Sequence, residues 1–208
     1  MIVRRLRDMM ARAPRIAAAV LLAVFLSACA PVASIGKRVG PAGDVHVQKL
    51  QVYSFVPMHA MGSERLHRDA RGFDAALAGR LRGAKIDTVV ADVEELVRRH
   101  GLAVDVRASD HDGLRRSMLL PVRDLLAVNR AEEATAGATH RLVLLPSHVR
   151  IDRPTGLTYG IVRWRLETTG DASPVAIGVL RYSADARGFP GKRMAKELVA
   201  KMNSLGIR

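Results

Sequence analysis

The sequence predicts an α+β fold: a single domain built on a mixed sheet of about four to five strands, with helices packed on one face of it. Three observations carry this expectation. Residues 157–168 and 174–183 alternate apolar and polar side chains with the period of a strand. Residues 63–82 and 190–205 set apolar side chains in stripes with the period of a helix. Strand-like and helix-like runs between and before them interleave in the order β-α-β-α-(α)-β-β-β-α.

The N-terminal part comes first. Residues 1–15, MIVRRLRDMMARAPR, are positive, and residues 16–26, IAAAVLLAVFL, carry no charge. That apolar run is too short to cross a bilayer comfortably and suits the hydrophobic region of an export signal. Ser27, Ala28 and Cys29 follow, and Cys29 is the one cysteine of the chain, so no intrachain disulfide can form. The run Leu26-Ser27-Ala28-Cys29 resembles the lipobox of bacterial prolipoproteins. The resemblance implies that residues 1–28 are a cleaved signal peptide and that Cys29 is the lipidated N-terminus. Each buried CH₂ of an acyl chain contributes about 0.8 kcal/mol, so several chains anchor firmly. The family's sorting rule retains proteins with Asp after the cysteine in the inner membrane. Ala30 stands there in this chain, which implies a periplasm-facing outer-membrane location.

Residues 30–44, APVASIGKRVGPAGD, are rich in Pro, Gly, Ala and Ser and read as a flexible tether. The expected organisation is therefore a signal peptide over 1–28, a lipidated N-terminus and tether over 29–44, and one periplasmic domain over 45–208.

Within that domain, residues 45–56, VHVQKLQVYSFV, are β-rich, and Pro57 ends the run. Leu66, Ala70, Phe73, Leu77 and Leu81 form one stripe of a helix over 63–82, with Ser63 placed as N-cap and Gly83 as stop. Residues 85–91 suggest a second strand. Asp92 followed by Glu95 has capping-box spacing for a helix over 93–100, closed by Gly101. Residues 102–112 fit either a strand or a turn. Helical sequence follows over 114–136, split by Pro121 and closed by Gly137. Residues 140–150 hold a continuous apolar run, Leu142 to Leu145, typical of a central strand. Residues 157–168 and 174–183 then read as a hairpin turning at Thr169-Gly170-Asp171. It directs Val162, Trp164 and Leu166 inward and Arg163 and Arg165 outward. Met194, Leu198, Met202 and Leu205 form the stripe of the last helix, with Gly206 past its end. The element order, with the phrase Ala138-Thr139-His140-Arg141-Leu142-Val143-Leu144 before the hairpin, resembles small α/β envelope lipoproteins of the curli-secretion and peptidoglycan-synthase-activator types.

The chain carries a net charge of +13. Its basic residues are spread along it, and eight aromatics are too few for a nucleic-acid stacking platform. No HExxH, GxSxG, Walker loop or GxGxxG is present. Asp110-His111-Asp112-Gly113 lacks EF-hand spacing. Ser147 and His148, adjacent on a strand, point to opposite faces. No catalytic residue, metal ligand or cofactor is expected. The sharpest local feature is basic: Arg163, Arg165 and Arg181 sit where one sheet face would hold all three, as an anion-binding face or as a solvated polar one. The expected function is non-enzymatic, a binding or scaffolding lipoprotein held to the membrane by its lipid. Its partner would be another envelope protein or an anionic envelope polymer. The alternative is a periplasmic enzyme whose site is dispersed in sequence.

Overall fold

The computed structural model describes residues 32–40, 43–59, 64–101, 123–152, 157–184 and 188–208. The lipobox with Cys29, Ala30, Ser63, the segment 102–112 and Pro121 lie outside the described residues. The strands are β1 (Ala33–Arg38), β2 (Lys49–Ser54), β3 (Asp87–Ala91), β4 (His140–Asp152), β5 (Leu157–Thr168) and β6 (Pro174–Ala184). The helices are α1 (Val56–His59), α2 (Glu64–Gly83), α3 (Val93–Arg99), α4 (Arg130–Thr135) and α5 (Gly191–Ser204), with a further helical turn over 123–128.

The six strands form one mixed sheet in the order β1-β6-β5-β4-β2-β3. β2 runs parallel to both of its neighbours, β3 and β4, while the β4-β5-β6-β1 side is antiparallel. The hairpin stands in the expected register: Trp164 faces Gly178, and Arg163 faces Val179. Asp171 organises its turn, accepting from the Ser173 amide at 3.0 Å and from the Thr168 hydroxyl. These hydrogen bonds, the Thr168 one foremost, hold its carboxyl below the usual carboxylate range.

α2 and α5 cover one sheet face, because their stripes are apolar where they meet it. Ala70, Phe73, Leu77 and Leu81 of α2 and Met194, Leu198 and Met202 of α5 are buried with Leu142, Leu144, Val162, Trp164 and Leu166. Phe189 joins this core with its ring 4.9 Å from that of Tyr182 and 6.4 Å from that of Phe73, both edge-to-face. Gly206, at φ +72°, reverses the chain after α5. The Ile207 amide then reaches the Met202 carbonyl at 3.1 Å.

Four expectations are corrected. The tether reading fails for Ala33–Arg38, which is edge strand β1; its small Gly36 is what lets the strand close over the Trp164 indole. This strand also lifts the sheet from the expected four or five strands to six. The strand expected over 45–56 shortens to β2, and Val45 instead makes an isolated bridge to Ile207, with its amide on the Gly206 carbonyl at 2.8 Å. α2 ends at Gly83 as expected, and the left-handed turn after it falls on Lys85, at φ +65°. Helices also pack on both faces rather than one: Tyr53, Phe55, Met58, Val93, Leu96, Leu125 and Val143 make a second buried cluster on the opposite side. No described helix is long and apolar enough to cross a membrane.

Candidate functional site: an uncovered basic sheet face

The second cluster covers only the β2–β4 end of its face. Toward β5, β6 and β1 no described helix lies over the sheet. The register fixes what that uncovered area presents. Across one row run Leu145, Arg163, Val179 and Ile35; across the next run Val143, Arg165, Ile177 and Lys37. Arg181 pairs with Ile161 on one side and Ala33 on the other, diagonal to Arg163. Diagonal neighbours on a sheet stand about 7–8 Å apart, within the joint reach of arginine side chains.

The structure thus brings Arg163, Arg165 and Arg181 to one face, and all three are exposed. Lys37 adds a fourth exposed cation, contributed by β1. Between the cations lie aliphatic side chains, with Ile35 58% exposed and Ile177 and Val179 half-buried. Lys37, Arg163 and Arg165 line an open trough of about 490 Å³ with these aliphatic side chains, and Arg181 stands one pair beyond it on β6.

The four cations are not equivalent. Arg165 pairs with Glu167. Arg163 and Arg181 have no ion-pair partner among the described residues. Glu167 is shared with Arg141, whose Nε donates to it at 2.8 Å while Nη1 donates to Glu133 at 3.1 Å. Arg141 and Glu133 are almost wholly buried. They fasten α4 to the sheet where apolar contact alone does not. Asn129, just before α4, donates to the Tyr53 hydroxyl at 2.5 Å. Burial, with the Glu133 carboxylate adding to it, pushes the Tyr53 phenol above its ordinary range. Arg141, on the strand beside the exposed arginines, is structural rather than part of the basic face.

Chemically the face offers guanidinium forks and apolar surface but no acid, base or nucleophile. Arginine does not titrate near neutrality and donates bidentate hydrogen bonds to carboxylates and phosphates. Among the described residues no group of His, Cys, Asp or Glu could hold a metal ion.

No protein-family model matches the chain, and no curated protein matches its sequence. Among solved structures, the PelC dodecamer from Paraburkholderia phytofirmans superposes with a TM-score of 0.50 at 12% identity, covering 86% of this chain and 99% of that one. This chain is similar in fold to PelC. The lipoprotein GNA1162 from Neisseria meningitidis gives a TM-score of 0.38 at 15% identity, covering 79% of this chain and 98% of that one. The PelC likeness extends over most of the domain, and it is a likeness of architecture.

The sequence pointed to the three arginines through strand alternation. It missed Lys37, Ile35 and hence the trough, because β1 was hidden in a segment composed like a linker.

Proposed function

We propose that this chain is a lipid-anchored envelope protein that binds rather than catalyses, and that its uncovered sheet face holds an acidic envelope polymer. The observation that carries this reading is the checkerboard of Lys37, Arg163, Arg165 and Arg181 around exposed Ile35 and half-buried Ile177 and Val179. A solvated polar face has no need of the aliphatic positions, and an apolar docking surface has no need of four like charges. Together they suit a chain with anionic groups along a less polar backbone. The lipobox at Leu26-Ser27-Ala28-Cys29 supports attachment to the membrane, and Ala30 supports the outer membrane.

The test is retention of the purified lipidated protein, in detergent, on immobilised polygalacturonate, with dextran as the neutral control. The Arg163→Ala/Arg165→Ala/Arg181→Ala protein should bind at least tenfold more weakly and lose most of the salt dependence. Lys192→Ala, a change at an exposed cation of α5, should leave binding unaltered. Equal binding by the triple variant would sink the proposal. Since PelC is a dodecamer, the competing use of this face is self-assembly. A triple variant that changes sedimented mass but not polymer retention would show that use instead.

A further inference from the structure

The sheet begins close behind Cys29 in the chain. β1 starts at Ala33, and Val32 before it is already buried in the core. Cys29 stands three residues ahead of Val32. Three residues span at most about 11 Å, so a lipid on Cys29 would keep the start of β1 within reach of the membrane surface.

The strand ladders identify that end of the domain. Ala33 pairs with Arg181, and Arg181 with Ile161. Further toward the same end, Tyr159 pairs with Ser183. Tyr182, next to Arg181, holds the Phe189 ring at 4.9 Å, which puts the start of α5 here as well. α2 meets it: the Phe189 amide donates to Asp69 at 3.4 Å, and Gly191 lies against Phe73. At the other end of β1, Arg38 donates to the Leu205 carbonyl at 3.1 Å, just past the last turn of α5. β1 and α5 thus run the same way, away from the Val32 end.

The Val32 end is basic. Arg68, Lys192 and Arg193 are exposed and line a hollow of about 410 Å³ with Gly72 and Phe189. Among the described residues of that lining Asp69 is the one carboxylate, and it accepts from the Phe189 amide. Arg181 stands exposed on the sheet at this end, and Tyr159 is 42% exposed. Cations suit headgroup phosphates, and a tyrosine ring with its hydroxyl suits the boundary between hydrocarbon and water. Lys201 and Arg208 stand at the far end, so charge alone does not choose between the two. The short leash does.

We propose that the domain docks end-on against anionic phospholipid headgroups, with Arg68, Arg181, Lys192 and Arg193 toward the phosphates and Tyr159 at the interface. The proposal rests on Cys29 being the lipid anchor. Acyl chains hold the protein to any bilayer; the basic end adds an orientation that depends on lipid charge and on salt. The strands then stand up from the membrane, with Arg181 lowest on the basic face and Lys37 farther out.

The test places one reporter at each end. With Cys29 acylated, an introduced cysteine is the only free thiol. Gly72→Cys puts it in the hollow, where a Cβ meets nothing within 4 Å, and Ser204→Cys puts it at the end of α5, about 20 Å further along the helix. The lipidated full chain, with a fluorophore on that thiol, is reconstituted in vesicles of phosphatidylcholine, alone or mixed two to one with phosphatidylglycerol. A lipid spin-labelled at its headgroup serves as quencher. In the mixed vesicles the Gly72→Cys reporter should be quenched at least threefold more than the Ser204→Cys reporter. Phosphatidylcholine alone, or molar salt, should lower that ratio by half or more. Lys192→Glu with Arg193→Glu should do the same, and acids in the first turn of a helix suit its dipole. Equal quenching at the two sites, in a protein that floats with phosphatidylcholine vesicles, would overturn the docking and leave the anchor standing. A ratio untouched by lipid charge and salt would overturn it as well. A protein that does not float with phosphatidylcholine vesicles would overturn the anchor, and the docking with it. The comparisons between lipids and salts stand even if the Lys192→Glu/Arg193→Glu protein fails to fold.

Discussion

The indole of Trp164 lies so close over the backbone of Gly178, its partner across the β5–β6 ladder, that a Cβ at position 178 would stand well inside van der Waals contact with its ring atoms. Gly36 of β1, paired with Gly178, is under the same ring. One large side chain thus occupies the space of three positions on adjacent strands. Gly178→Ala should cost about 1–3 kcal/mol, as overpacking of a close-packed core does. Trp164→Ala should cost about 3–5 kcal/mol from lost burial and the cavity left behind. Urea melts of both variants check these values, and a neutral Trp164→Ala would show that the indole is not core.

The exposed and buried arginines of the same ladder should behave in opposite ways. Arg163→Ala with Arg165→Ala should change stability by less than about 1 kcal/mol, because both side chains stand in water. Arg141→Met should cost about 3–5 kcal/mol, because it strands Glu133 and Glu167 in the interior without their cation. Comparable losses in the two proteins, measured by chemical denaturation, would contradict the assignment of inside and outside.

The pH dependence of stability should carry the mark of Asp74. Burial raises its folded value above its ordinary 3.8 to about 7, so the folded state holds the proton more tightly than the unfolded chain. Stability from this group is thus full in acid, falls as pH rises from about 4 through about 7, and flattens about a unit above that. Asp74→Asn should therefore gain steadily on the wild type between pH 5 and 7, with the gain tailing off by about pH 8. A difference that does not change with pH would refute this.

Cys29→Ser tests the anchor. The changed protein should fail to label with palmitate and should leave the membrane fraction or remain uncleaved. Continued labelling would show that the lipid sits elsewhere and would remove the basis for membrane attachment.

Legibility in the sequence followed periodicity. α2, α5 and the β5–β6 hairpin each repeat an apolar position over three or more turns or pleats, and tertiary packing reinforced that pattern. β1 was not legible, since its Ala, Ser and Gly look like linker residues until Trp164 is seen to need a glycine beside it. The expectation of helices on one face failed for a related reason. Tyr53 and Val143 face away from the main core, and a strand buried on both sides shows no alternation to separate its faces. The basic face was half legible: β5 and β6 declared Arg163, Arg165 and Arg181, and β1 withheld Lys37 and Ile35.

The pairing of β1 with β6 also has a kinetic consequence. Ala33 meets Arg181, and Val45 bridges to Ile207, so the edge of the sheet closes only when residues from the two ends of the domain are present together. Such long-range closure raises the contact order and slows folding. A chain emerging N-terminus first would accordingly complete this sheet only once nearly all of it had appeared.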